Sequence, residues 1–321
     1  MLSRVAENLY WMARYLERAE NTARLINATT QVLLDLPRGA FFGWDVLIRV
    51  AGLDNLFHEH YAQADEDNVV NFLVRDESNP SSIVSSLHNA RENTRTFREV
   101  LPMEIWERIN DLHLFIRDNA SRATQGRGLR HQVLNGVIER RQSIIGLLMG
   151  SMSHDIPYQF LKLGRNVERA DMTTRIVDVN SAVQLPADPA LTVPALERLW
   201  MGTLNAMSAY QMYRRHVGVH VRRKDVVNFL LKDAHFPRTV RHCLDEIEGC
   251  LSVLPRHDEA MRASRRAWRR LDGMRLEGLA PVVLHEYMDQ IQADLGDVHA
   301  ALARQYFDLH HAPAMEAGVS Q

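Results

Sequence analysis

The sequence predicts an all-α protein made of two tandem homologous helical arrays that form one elongated helical bundle. Three observations predict it. Apolar residues recur at helical spacing, alternating runs of strand type are missing, and whole blocks of sequence occur twice. The first repeat is assigned to residues 1–156 and the second to 157–311, with 312–321 as a loose tail.

The first predicted helix starts almost at the N-terminus. Val5, Leu9, Met12, Leu16, Ala19, Ala23 and Ile26 fall on one face at about 100° per residue. Leu112, Phe115 and Ile116 continue the pattern, as do Val298, Leu302 and Phe307. The predicted breaks are short: PRG at 37–39, QGRG at 125–128 and LPADPALTVP at 185–194, the last being the best linker candidate.

Four blocks recur in chain order. Arg14, Glu17, Arg18, Ala19, Thr22 and Arg24 return as Arg165, Glu168, Arg169, Ala170, Thr173 and Arg175. VVNFLVRD (69–76) returns as VVNFLLKD (226–233), and Pro80 then matches Pro237. Trp44 can be set against Trp200, and WERIN (106–110) against WRRLD (268–272). The offset rises from 151 to 162 along the chain, as short insertions in a second copy would produce. Such a period is far longer than that of solenoid units.

Composition excludes several function classes. Of 321 residues 46% are hydrophobic and 24% charged, the formal net charge is −2 and the pI is about 6.7, which argues against nucleic-acid binding. No run of eighteen apolar residues predicts a membrane span, and the N-terminus does not follow signal-peptide order. Cys243 and Cys250, placed on one helix, would stand roughly 10 Å apart along its axis, too far for a disulfide. A reducing cytoplasm is therefore expected. P-loop, dinucleotide, HExxH and GxSxG motifs are missing, so neither a nucleotide cofactor nor any other is expected. HEH (58–60) and the His216/His220 pair lack a third ligand at a recognisable spacing, so no metal site is expected.

The repeated charged frame is the candidate site. Arg14, Glu17, Arg18, Asn21 and Arg24 lie within about one third of the helical circumference, opposite the apolar stripe. A solvated face would exchange its head groups freely between copies, yet here Tyr15 drifts to Asn166 while the charges stay. Lysine occurs only three times among 38 basic residues, so arginine clusters alone carry little weight. A glutamate before an arginine in a fixed frame points to a buried or interfacial network of bidentate pairs. Two uses stay open: a structural joint between the copies across a pseudo-twofold axis, or a site whose surplus arginines bind an acidic group. At each repeated proline a new helix is expected to start, its N-terminus serving as a cap or an anion site.

The start of the chain, MLSRVAENLYWMARYLERAENTARL, resembles the alpha-E family, all-helical bacterial domains named for a Glu-Arg motif. VNFLVRD…NPSSI (70–83), ARENTR (90–95), the 106–110 segment and VERAD (167–171) are similar to that family as well. The resemblance spans essentially residues 1–310. It implies a pathway more than a reaction, because members are typically encoded beside, or fused to, ATP-grasp ligase-like and transglutaminase-like proteins. The implied partners are therefore an ATP-grasp ligase-like protein and a transglutaminase-like protein, with an acidic small molecule or peptide as ligand. By position the Glu-Arg motif falls on Glu17 and Arg18, with its echo on Glu168 and Arg169. Arg91 and Glu92 of ARENTR have no echo, since Glu248 and Gly249 stand opposite.

The expectation is a helical partner of an amide or peptide ligase, with Arg14, Glu17, Arg18, Arg24, Arg91, Glu92, Arg165, Glu168, Arg169 and Arg175 as binding residues. Catalytic residues are left open. Two alternatives stand beside it: an enzyme of amide formation or cleavage with Glu17 or Glu168 as base, and a scaffold with no small-molecule site.

Overall fold

Helix α1 (Ser3–Asp35) is long enough to be covered on every side, and that decides the fate of its charged face. The computed structural model describes residues 3–35, 43–181, 183, 189–276 and 278–307. The stretch at 37–39 and the tail at 312–321 lie outside them. Among the described residues there are helices and turns and no strand.

After α1 come α2 (Asp45–Ala51), α3 (Asp54–His60), α4 (Glu66–Val74), α5 (Ile83–Arg95), α6 (Met103–Asn119) and α7 (Arg127–Ser151). A short turn leads to α8 (Ile156–Ser181), followed by α9 (Pro189–Ala206), α10 (Tyr210–His216), α11 (Arg223–Lys232), α12 (Val240–Ser252), α13 (Asp258–Gly273) and α14 (Pro281–Leu302). No helix among the described residues is long and apolar enough to cross a membrane.

Side chains of α1 are held by α8 most extensively, with α5, α7 and α9 closing its other sides. The predicted stripe is the core: Leu9, Met12, Leu16, Ala19, Ala23 and Ile26 are fully buried, and Val5 packs at the edge. Helix α8 buries Phe160, Leu161, Leu163, Val167, Ala170 and Ile176 against the same core.

Turn chemistry sets the helix starts, and it corrects two expectations. Pro80 and Pro237 do not begin helices. Each precedes an N-cap by two residues: Ser82 accepts from the Ser85 N–H at 3.1 Å and Thr239 from the His242 N–H at 3.2 Å. Each cap satisfies one of the free N–H groups at its helix start, which is the capping role expected there. The candidate linker at 185–194 is the second correction. Residues 189–194 already lie in α9, which keeps Pro194 inside it at the loss of one main-chain hydrogen bond. Residues 185–188 lie outside the described ones.

Asp76 and Asp233 close equivalent turns, accepting from the N–H two residues on (Ser78 and His235) at 2.9 Å each. Cys243 and Cys250 both lie on α12 as free buried thiols, and burial raises their pKa values to about 12 and about 11.

Helices α1 and α8 approach closely at Gly164, where a Cβ would run into the Tyr10 carbonyl oxygen. A main-chain atom cannot rotate away as a side chain can. Gly164→Ala is therefore expected to cost about 1–3 kcal/mol of stability. Gly296→Ala, in open space on α14, is expected to gain about 0.5–1 kcal/mol. Urea unfolding of both variants reads the contrast.

Candidate functional site

Where α1 and α8 cross, each helix's glutamate is gripped by the other's arginines. Glu168 accepts from Arg14 Nε at 2.7 Å and from Arg18 Nε and Nη2 at 2.6 and 3.0 Å, a bidentate fork. In return Glu17 accepts from Arg169 Nε at 2.8 Å. Both carboxylates are almost completely buried, at 0% and 2% exposure for Glu17 and Glu168. Burial of this degree requires pairing, since an unpaired carboxylate would be strongly penalised.

The Glu17 side is the more elaborate. Arg141 of α7 binds Glu17 and also pairs with Glu20 at 2.5 Å. Arg238, in the turn before α12, reaches Glu17 at 2.8 Å, Asn21 at 2.7 Å and Glu20 at 2.9 Å. Arg24 grips Glu20 at 2.7 Å and donates to the Ser208 hydroxyl at 2.6 Å. Three carboxylates, Glu17, Glu20 and Glu168, are thus shared by Arg14, Arg18, Arg24, Arg141, Arg169 and Arg238. Positive charge is in excess. Three donors around Glu17 also lack a hydrogen-bond partner among the described residues: Arg141 Nε, Arg165 Nε and Asn21 Nδ2.

Electrostatics follow from that count. Burial pushes the Glu168 carboxyl upward, but Arg18 and Arg14 outweigh it and bring it down to about 2. At Glu17 burial is likewise outweighed, by Arg141, Arg169 and Arg238, and its carboxyl lies far below the usual range. Arg141 and Arg165 are shifted down, chiefly by burial, and Arg169 adds to this in both.

The other candidate residues sit apart. Arg175 makes a local pair with Asp171 at 3.0 Å, the same i,i+4 spacing as Arg24 and Glu20. Arg165 faces the network without an ion pair among the described residues. Arg91 and Glu92 pair with each other at 2.6 Å, and Arg91 also binds Asn110 of α6 at 2.7 Å and approaches the Trp106 ring. No contact joins them to Glu17 or Glu168 among the described residues.

Sequence reasoning missed Glu20, Arg141 and Arg238. A signal existed for Arg238, which stands where the first copy of its block has Ser81. Arg141 offered none, being one arginine among several on α7.

Beside the seam, α1, α7 and α9 border an open cavity of about 630 Å³. Arg24, Arg127, Arg130 and Arg198 line it, with Asp35 the single carboxylate among the lining residues.

Among the described residues neither HEH nor the His216/His220 pair gathers further ligands. The one His/Asp cluster among the described residues is Asp178, His285 and Asp289. Its imidazole is engaged at both nitrogens, Nδ1 with Asp178 at 2.9 Å and Nε2 near Asp289 at 3.5 Å. That is the geometry of a clamp between α8 and α14, with one ring nitrogen facing each carboxylate.

Comparison with known proteins gives the same extent for the family. Residues 1–307 match the model of the alpha-E family, described as a predicted alpha-helical domain with a conserved ER motif. Uncharacterised proteins of Mycobacterium bovis and Mycobacterium tuberculosis are each 25% identical to the chain over 335 residues. The match covers 93% of this chain but 35% of each relative, so the chain spans about a third of their length. No solved structure matches it.

The depressed Glu168 pKa sets an acid limit. A carboxyl lowered from 4.5 to about 2 by folding contributes stability that is fully present above about pH 4.5. That contribution is lost as the pH falls through about 2. The melting temperature is therefore expected to hold from neutral pH down to about 4.5 and then to fall. Glu168→Gln is expected to melt lower at pH 7 and to lose less on acidification, as calorimetry would show.

Proposed function

The chain belongs to the alpha-E family, and from that premise we propose that it is the helical partner of an ATP-grasp type amide or peptide ligase. In this reading it binds the ligase, the ligase's acidic substrate or both through arginines in excess over carboxylates. The observation that carries it is the sharing of three buried carboxylates by six arginines. A purely structural joint needs no such surplus, whereas an acidic guest is attracted by it. The length of the mycobacterial relatives supports the same reading, because there the matching unit forms part of a larger chain. A transglutaminase-like protein is a second proposed partner, and the cytoplasm the proposed compartment.

The proposal includes descent from two tandem copies, 1–156 and 157–311. Helix order supports it: α3 and α10 both have seven residues, α5 and α12 both thirteen, and α6 and α13 seventeen and sixteen. The pairs that differ most are α2 and α9, at seven and eighteen residues, and α1 and α8, at thirty-three and twenty-six. The mutual grip of Glu17 and Arg169, and of Glu168 and Arg18, is what a pseudo-twofold contact between copies requires.

The rival reading, with Glu17 or Glu168 as a general base, fits the site less well. A base works best when its pKa lies near the working pH, and both carboxyls are held far below it.

Coexpression with a neighbouring ATP-grasp protein is the test. The two are expected to copurify, and ligase output to drop when this chain is left out. Unchanged output together with separate elution would end the proposal. Glu17→Gln addresses the rival: a loss of about 3–5 kcal/mol of stability is expected for a broken buried network. A fully stable variant without activity would favour chemistry instead.

A further inference from the structure

The cavity between α1, α7 and α9 sets two polar chemistries into a largely apolar wall that includes Val32, Leu34, Ile138 and Met201, and together they specify a ligand. Its volume of about 630 Å³ is that of a small-molecule site. One set of walls is cationic. Arg127 and Arg130 share a single carboxylate, Glu66, at 3.1 and 2.7 Å. Arg24 has Glu20 only in common with Arg141 and Arg238. Arg198 is held from the opposite side by donating to the Asp35 main-chain carbonyl. Each of the two carboxylates pairing with lining arginines is thus outnumbered by the arginines it serves, which leaves the cationic walls under-neutralised.

The second set of walls is made of carboxamides. Asn27 of α1 donates to Asn135 of α7 at 3.1 Å, and Asn135 in turn meets His131 at 2.9 Å. Gln31 and Asn205 line the same space. A carboxamide both donates and accepts, which is the complement of a peptide group. Phosphate would use the arginines and leave the amides idle, whereas a peptide bearing carboxylates uses both.

We propose that this cavity binds a short acidic peptide, its carboxylate on Arg198 and Arg24 and its main chain along Asn27, Asn135 and Asn205. The proposal deepens the partnership reading, on which it rests for the ligand's origin, by naming the class of substrate or product that the helical chain would hold. Arg24 would also connect the cavity to the seam, since one guanidinium touches Glu20 and lines the pocket.

Isothermal titration of the full chain with L-glutamyl-L-glutamate, L-alanyl-L-alanine and inorganic phosphate tests it. The acidic dipeptide is expected to bind, with the neutral dipeptide and phosphate at least about tenfold weaker. Arg198→Ala, at an exposed position, and Asn135→Ala are each expected to weaken the acidic dipeptide about tenfold or more. Melting curves check that both variants remain folded. No heat with the acidic dipeptide, equal affinity in both folded variants, or phosphate binding as tight as the dipeptide would each overturn the assignment. Copurification with the ligase but no peptide binding would sink this site and spare the partnership. Peptide binding without copurification would do the reverse.

Discussion

Two buried carboxylates, Glu17 and Glu168, each held by arginines of the opposite helix, are the constraint on which the arrangement of α1 and α8 depends. The helices approach so closely at Gly164 that no side chain fits there. Close approach removes water from the charged face that follows, and dry carboxylates must then be matched by fixed donors. Packing and electrostatics are therefore one problem at this crossing. Lysine could not solve it, since a planar fork is needed to satisfy both carboxylate oxygens.

The two sides of the crossing are not equal. Among the described residues Glu168 is satisfied by Arg14 and Arg18, while Glu17 draws on Arg169, Arg141 and Arg238. Glu20 brings a further carboxylate to that side, and with it Arg24 and the neighbouring cavity. The surplus of positive charge and the unpartnered donors collect on the same side.

Much of this was legible in the sequence, for physical reasons that differ by residue. The stripe from Leu9 to Ile26 has helical period, and period reports burial directly. Retention of Arg14, Glu17, Arg18 and Arg24 in two places marked the charged face as more than solvated surface. Arg91 and Glu92 looked equally motif-like, yet Arg91 binds Asn110 and approaches Trp106, and Glu92 pairs with Arg91 and Arg95. A motif records that a residue is constrained, without recording by which neighbour. Arg141 and Arg238 reach Glu17 from 124 and 221 positions away, and no local pattern encodes such a contact. Of the linker expected at 185–194, residues 189–194 are helical instead, because prolines are tolerated near a helix start, which is where Pro189 stands.

A double-mutant cycle across the crossing tests the central claim most directly. Unfolding free energies are measured for Arg18→Met, Glu168→Gln and the double variant. If the pair holds α1 to α8, the coupling energy is about 1–3 kcal/mol, even with Arg14 still present on Glu168. Additivity within about 0.5 kcal/mol would contradict the account, leaving apolar packing alone to join the two helices.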